Sequence, residues 1–378
     1  MKAQLLSSLL WLAASMTAWA GPDSLRLSVQ PLPATARGLL TEGRSGPQVF
    51  IQSGYYTWCP SLVRSPDGRW HLFHSRWPTE RGFLGWLTFS EVARADAASP
   101  EGPFGSAATV VSAEPSVPGG WFDAHNPKVI WAAGRGWLYL IRTRGDGIDS
   151  VLRREISDVG YRHPRWQPEL RANQRVFLAT AERLEGPWAV ADTPLLEPAG
   201  PICRLTVNPA VCARPEGGYL MVVKGDRPGA TRFVRNQAIA LAPKPEGPWV
   251  IQPRPMVADI DTEDACVWYD SDRSRYYAIF HSSEQEGFLG MMTSEDGLTW
   301  TRAAQFRLTD KVLHFSDGTL LRPSMMERPQ VVLGEDGKPS HLAVACGLPG
   351  GRTGIVILRL SPGSLDHQDA THHLPVTR

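Results

Sequence analysis

Charge of one sign is the first thing this sequence lacks. Lys and Arg number 39 against 38 Asp and Glu, a formal net charge of +1, so no overall field recommends nucleic acid or an anionic membrane as partner. Beyond residue 20 no apolar run approaches the roughly 20 residues that a bilayer-spanning helix needs, and no membrane span is expected. No dinucleotide fingerprint, phosphate-cradling loop or zincin motif is present. Cysteine is sparse, at five, and its spacing is not that of a zinc site. An odd number leaves at least one thiol unpaired. Cys59, Cys212, Cys266 and Cys346 fall in or beside apolar runs and Cys203 in a loop. They read as free thiols acting as small apolar residues, with a single disulfide as the alternative.

What is present begins with Lys2, an apolar stretch over residues 5–18, and Ala18-Trp19-Ala20 before Gly21. That small-x-small ending marks residues 1–20 as a secretory signal and residues 21–378 as one exported domain, secreted or periplasmic. Residues 21–50 read as a leader into the first unit, where Pro31 and Pro33 stand too close together for a regular element.

Five times a short polar cluster then opens into a paired-strand pattern: Trp58-Cys59-Pro60, His125-Asn126-Pro127, Val207-Asn208-Pro209, Glu263-Asp264-Ala265 and Glu327-Arg328-Pro329. Each leads an apolar run, a turn rich in Gly, Asp or Pro, and a second apolar run, over residues 61–77, 128–143, 210–225, 266–282 and 330–347. The spacing is unequal but the internal grammar repeats, as loops of varying length on one repeated unit would give. A second half-unit ends in Glu101-Gly102-Pro103-Phe104, Glu185-Gly186-Pro187-Trp188 and Glu246-Gly247-Pro248-Trp249, with Glu295-Asp296-Gly297-Leu298-Thr299-Trp300 as a variant. Four strands per unit and five units predict an all-β fold, a five-bladed β-propeller of four-stranded antiparallel blades around a central channel. The aromatic after each Gly-Pro is expected to pack on the neighbouring blade. The glutamates before Gly-Pro sit in hairpin turns and are excluded from chemistry.

In such a blade the start of the first strand and the end of the second share one face, and the first strand lines the channel. Residues at the openings therefore crowd the axis. Asp264 and Glu327 are the leading candidates for paired carboxylates, with Asp123 or Glu263 as substitute. Asp264 is preferred to its neighbour because it occupies the register of Cys59, Asn126, Asn208 and Arg328, whereas Glu327 is displaced by one. Around these acids the same reasoning gathers Trp58, Cys59, Arg76, Trp77, His125, Asn126, Arg142, Asn208, Lys224, His281 and Arg328 as binding residues. Arg76 has a structural ion pair as its competing role, and for His125 orienting a carboxylate or binding a hydroxyl stands beside proton transfer. The longest interruptions, over residues 145–171 and 226–235, follow second strands and so overhang this face.

At these residues the sequence resembles the five-bladed β-propeller glycoside hydrolases, the superfamily that includes family 43 and the neoagarobiose hydrolases, over roughly residues 45–360. The features carrying the resemblance are the five openings, Glu327-Arg328-Pro329-Gln330 among them, and the Glu-Gly-Pro-aromatic turns. The resemblance implies cleavage of glycosidic bonds by a carboxylic acid and a carboxylate. It also implies an aspartate base at the first opening, an aspartate at the second and a glutamic acid at the third, where this chain has Cys59, Asn126 and Asn208. That triad cannot be carried over.

The expected function is an exo-acting glycoside hydrolase taking one terminal sugar from an oligosaccharide or polysaccharide-derived substrate. The cations Arg76, Arg142, Lys224 and Arg328 suit a uronic or sulfated sugar, and Trp58 and Trp77 could stack on its ring. A non-catalytic carbohydrate-binding propeller and a phosphorolytic enzyme are the alternatives. No cofactor is expected, a structural calcium in the channel being left open.

Overall fold

The computed structural model describes residues 23–114, 120–230, 234–283 and 287–363; the signal expected over residues 1–20 lies outside them. Short aromatic and β-branched runs such as Trp137 to Ile141 and Tyr276 to Phe280 form strands buried on both faces, because only a stack of sheets can cover both sides. Four sheets of four antiparallel strands follow in chain order. Their first strands are Tyr55–Arg64, Trp121–Ala132, Cys203–Ala213 and Thr262–Asp270. The fifth blade is led by Met325–Leu333, and the five-bladed propeller expected from the repeat is the observed fold. Among the described residues no helix is long and apolar enough to cross a membrane.

The fifth blade has three strands of its own, and the N-terminal segment completes it. Leu27–Val29 and Val49–Phe50 both pair antiparallel with Arg352–Pro362, and helix Ala34–Glu42 connects them. The reading of residues 21–50 as an irregular leader is corrected here. Pro31 and Pro33 fall between the strand and the helix, where neither breaks a regular element, and the exposed edge of the last blade supplies the hydrogen-bonding partner.

The core lies between blades. Each of five apolar clusters joins two neighbours, one of them combining Tyr139 of the second blade with Val223 and Trp249 of the third. The aromatics after Gly-Pro pack as expected: Phe104 against Phe50, Trp188 against Phe73 and Trp249 against Tyr139, at centroid distances of 6.0, 5.5 and 6.1 Å. Of the glutamates of these turns, Glu101 pairs with Arg359 and Glu185 with Arg183. All five cysteines are free.

Polar latches cross the blade junctions near the axis. Ser61 Oγ accepts from the Val129 amide at 2.9 Å and Cys266 Sγ from the Val331 amide at 3.3 Å. The buried Gln330 amide accepts from Leu62 N at 2.6 Å and donates to Leu62 O at 3.1 Å, tying the last blade to the first. Ser61, Cys266 and Gln330 occupy the same place in their repeats, so at three of the five openings an acceptor two residues past Cys59, Asp264 or Arg328 substitutes for the ladder that separate sheets cannot form. Replacing Gln330 by Ala strands a buried amide and carbonyl, and is expected to destabilise the protein by about 2–4 kcal/mol. A urea midpoint shifted down with an unchanged slope checks this.

Candidate active site

Each blade opening is a β-bulge built on one left-handed residue. Strand register skips at Trp58/Ser61, His125/Lys128, Val207/Ala210, Glu263/Cys266 and Glu327/Gln330. Within the gaps Cys59, Asn126, Asn208, Asp264 and Arg328 have φ of 54°, 50°, 55°, 65° and 56°. Asn and Asp tolerate this region better than other non-glycine residues, whereas Cys and Arg enter it at a cost. The kink re-aims the five side chains toward the axis, where they meet as a ring.

Asn208 Nδ2 donates to Asp264 Oδ1 at 2.8 Å, and Arg328 Nη1 lies 2.5 Å from the same oxygen. Asn126 is contested. In one orientation its Nδ2 donates to Asn208 Oδ1 at 2.5 Å and its oxygen faces Cys59 Sγ at 2.6 Å. Turned over, its oxygen accepts from Arg328 Nη1 at 2.8 Å and its nitrogen donates to His125 Nε2 at 2.9 Å. A guanidinium can only donate, which favours the second orientation, but Asn208 then loses its donor. The ring thus holds one polar conflict at its centre. Burial pushes the Cys59 thiol up to about 12 despite Arg328, which leaves it protonated and removes it as a nucleophile.

Glu263 and Glu327 occupy a different tier, the position immediately before the left-handed residue. They line a cavity of about 390 Å³ with Arg235, His281, Ser282, Ser283, Lys311 and Ser324. Burial would raise Glu263, but Lys224 Nζ at 2.6 Å from Oε2 and Arg235 Nε at 2.9 Å from Oε1, with Arg328 beyond, hold its carboxyl well below the usual range. Glu327 has no ion pair among the described residues. Burial raises its pKa, and the negative charges of Asp264 and Glu263 add to this against the pull of His281 and Arg328. One carboxyl is held ionised and its neighbour is pushed toward the protonated form.

The tier explains where the other expected site residues fall. Asp264 faces the axis, as its register predicts, but lies in the ring, buried and paired with Arg328. Asp123 is buried in the second blade outside the cavity lining. Burial pushes it up to about 8 in spite of Arg153 and Arg142, so it is protonated at neutral pH. Arg142, fully buried, donates to Trp121 O instead of facing the cavity. Arg76 takes its structural role, with Nε donating to Glu91 at 2.7 Å and Nη2 to Thr109. Trp58 and Trp77 are buried against Phe83, and their rings are covered. His125 accepts no proton readily, since burial and Arg328 depress its pKa, and Ser90 Oγ holds its Nδ1 at 2.6 Å. Lys224 pairs with Glu263, and His281 lines the cavity with its Nδ1 3.5 Å from Asp264 Oδ2. Arg235, Lys311, Ser283 and Ser324 were not foreseen; Arg235 ends the interruption at 226–235, the one signal that could have pointed to it.

Glu263, Asp264 and His281 bring one potential metal ligand each within 4.8 Å of one another. Lys224, Arg235 and Arg328 already neutralise the two carboxylates, and their charge opposes a cation there.

No family model matches this chain, and no curated protein does. Solved structures do. Zg3597, a family 117 glycoside hydrolase produced by Zobellia galactanivorans, is 12% identical over 90% of this chain and 91% of its own, with a TM-score of 0.55. The α-L-arabinofuranosidase of Lactobacillus brevis is 13% identical over 84% and 93%, at 0.52. CoXyl43, a family 43 β-xylosidase/α-arabinofuranosidase from a compost microbial metagenome, is 14% identical over 85% and 96%, at 0.55. The five-bladed fold is the one that these glycoside hydrolases share.

The contrast between the two glutamates has opposite signatures in stability. Glu263, depressed by its cations, contributes stability above its unfolded value near 4.5 that is lost as pH falls toward its folded value. Glu263→Gln should therefore cost about 3 kcal/mol at neutral pH and progressively less in acid. Glu327, raised on folding, penalises the native state once the unfolded chain ionises. Glu327→Gln should melt higher than wild type at about pH 8 and converge with it below about pH 4. Melting temperatures across pH for both variants check the pair.

Proposed function

We propose that this chain is a glycoside hydrolase that removes one terminal, anionic sugar, with Glu327 as the proton donor to the departing oxygen and Glu263 as the ionised partner. The observation that carries the reading is the opposite bias of two carboxyls lining one cavity. Glycosidic cleavage needs one group to protonate the leaving oxygen and another to activate water or attack carbon. Lys224 and Arg235 keep Glu263 charged, and burial biases Glu327 toward its protonated form. The shared fold with glycoside hydrolases supports the reaction class.

Exo action is the reading that a closed channel supports. The ring of Cys59, Asn126, Asn208, Asp264 and Arg328 closes the channel beneath the acids, so a polymer has no path through the axis. The case for an acidic sugar rests on Lys311. Lys311 lines the cavity with no carboxylate partner among the described residues, its hydrogen bond going to Ser282 O at 3.4 Å. A uronate or sulfate would complete it. The signal pattern of residues 1–20 places the reaction outside the cytoplasm.

A binding propeller without catalysis is the competing reading, favoured by the carboxylate-free first three openings. The discriminating experiment assays methyl glycosides and disaccharides of arabinofuranose, xylose, glucuronic acid and galacturonic acid. Turnover is expected on a uronic substrate, and Glu327→Gln should lower kcat by about 10²- to 10⁴-fold. Activity confined to neutral sugars would remove the charge argument. Calorimetric binding without turnover would establish the non-catalytic reading, and turnover requiring inorganic phosphate would reassign the cations to phosphorolysis.

A further inference from the structure

Against His125 at the second opening, insertions of the first and second blades pack together and carry a cluster of aromatic rings. The segment after the first blade's second strand ends in a helical turn, Trp86–Phe89. The interruption within the second blade carries helix Ser150–Val159, started by Asp149, whose carboxylate accepts from the Val151 and Leu152 amides at 3.0 and 2.8 Å. The helix is fastened to the first insertion by the buried Arg153, which donates to Thr88 O from Nε and Nη2 at 3.0 and 2.7 Å. Gly160 ends the helix at φ 68°, against Leu84, where a Cβ has no room. Tyr161 follows directly.

Tyr161 is 51% exposed, and no other aromatic among the described residues is exposed to a comparable degree. A water-facing ring held this firmly calls for an explanation. Its ring lies 6.4 Å from Trp86 and 6.4 Å from Trp166. Trp86, itself partly exposed, stacks on His125 at 5.1 Å and 22°, and His125 shares its tier with Glu263 and Glu327. The charged groups that act on the Tyr161 hydroxyl are Glu263, Glu327 and Arg235, all three of which line the cavity. The Tyr161 ring is thus joined through Trp86 and His125 to the tier that carries the acids, close enough for their charges to reach its hydroxyl.

We propose that Tyr161, backed by Trp86, is the stacking platform for the sugar unit on the leaving side of the scissile bond, and so sets the preference for oligosaccharides over single-sugar glycosides. This rests on the glycosidase reading. A pyranose presents an apolar face of C–H groups and a polar rim of hydroxyls, and an aromatic ring at the edge of a charged pocket accommodates both. The terminal sugar sits among Glu263, Glu327 and Lys311 while its neighbour lies on Tyr161. Tyr161 touches substrate but takes no part in proton transfer.

The test compares kcat/KM for the disaccharide and the methyl glycoside of the sugar turned over in the panel above. In Tyr161→Ala the ratio of disaccharide to methyl glycoside is expected to fall about tenfold, and Tyr161→Phe should restore it. Val151→Ala, on the exposed face of the same insertion, should leave the ratio where wild type has it. A ratio unchanged in Tyr161→Ala, in an enzyme that cleaves the disaccharide, overturns the platform alone. An equal loss on both substrates also overturns it, by assigning Tyr161 to the fold of the insertion. Wild type that neither binds nor cleaves any member of the panel overturns the glycosidase reading and the platform with it.

Discussion

The left-handed bulge at each blade opening is the constraint from which the rest of this site follows. A first strand that continued in regular register would alternate its side chains between the two faces of its own blade and send none of them along the channel. Placing one residue at positive φ breaks the alternation, and because the break occurs at the same height in five blades, five side chains meet on the axis. Asp264 and Arg328 pair there at 2.5 Å, and Asn208 is fixed by Asp264. The strain of holding Cys59 and Arg328 in a region unfavourable to them is offset by contacts available only at the centre of a closed ring. Two residues further on, Ser61, Cys266 and Gln330 turn the same geometry into latches between blades.

The bulge also sorts the chemistry into tiers. Position zero is the ring, where charge is compensated and burial nearly complete. The position before it carries Trp58, His125, Val207, Glu263 and Glu327, and only here do acidic groups meet open space. This is why adjacent Glu263 and Asp264 have different fates. Asp264 belongs to the lining that closes the channel, whereas Glu263 and Glu327 share one register on neighbouring blades and face each other's charge. Their electrostatic difference is then a matter of neighbours. The third blade reaches Glu263 with Lys224 and Arg235, whereas Glu327 meets burial and like charge.

Much of this was legible in the sequence. The five openings, the hairpin behind each and the aromatic after Gly-Pro sufficed for the fold, because a blade must bury both faces and repetition reveals how. The resemblance to propeller glycosidases pointed the same way. The N-terminal closure was hidden, since three residues such as Leu27–Val29 carry no period and their partner lies more than three hundred residues away. Register points Asp264 to the axis, and Glu263 and Glu327 are both legible as nearby acids. Alternation along a regular strand does not say that a bulge closes Asp264 into a ring and leaves Glu263 and Glu327 on one tier, and positive φ at Asp264 cannot be read from residue type when Cys and Arg occupy equivalent places. Their places at an opening and at a second-strand end suggest Trp58 and Trp77 as sugar platforms, and burial against Phe83 excludes them. The exposed aromatic belongs instead to an insertion whose sequence showed only that it was long.

The asymmetry of the second tier accounts for the shape of the pocket. Blades one to three contribute Trp58, His125 and Val207 there, none of them a carboxylate, and the insertions of the first two blades add Trp86 and Tyr161 above. Blades four and five contribute the two acids, with Arg235 and Lys311 beside them. Aromatic rings by the second opening and ionic groups between the fourth and fifth are what the proposed sugar, with its apolar face and hydrogen-bonding edge, would meet. A five-fold repeat with equivalent residues at every opening would have made a symmetric funnel with no such preference. Divergence of the tier before the bulge, on a ring that keeps its geometry, is what gives this propeller a directional site.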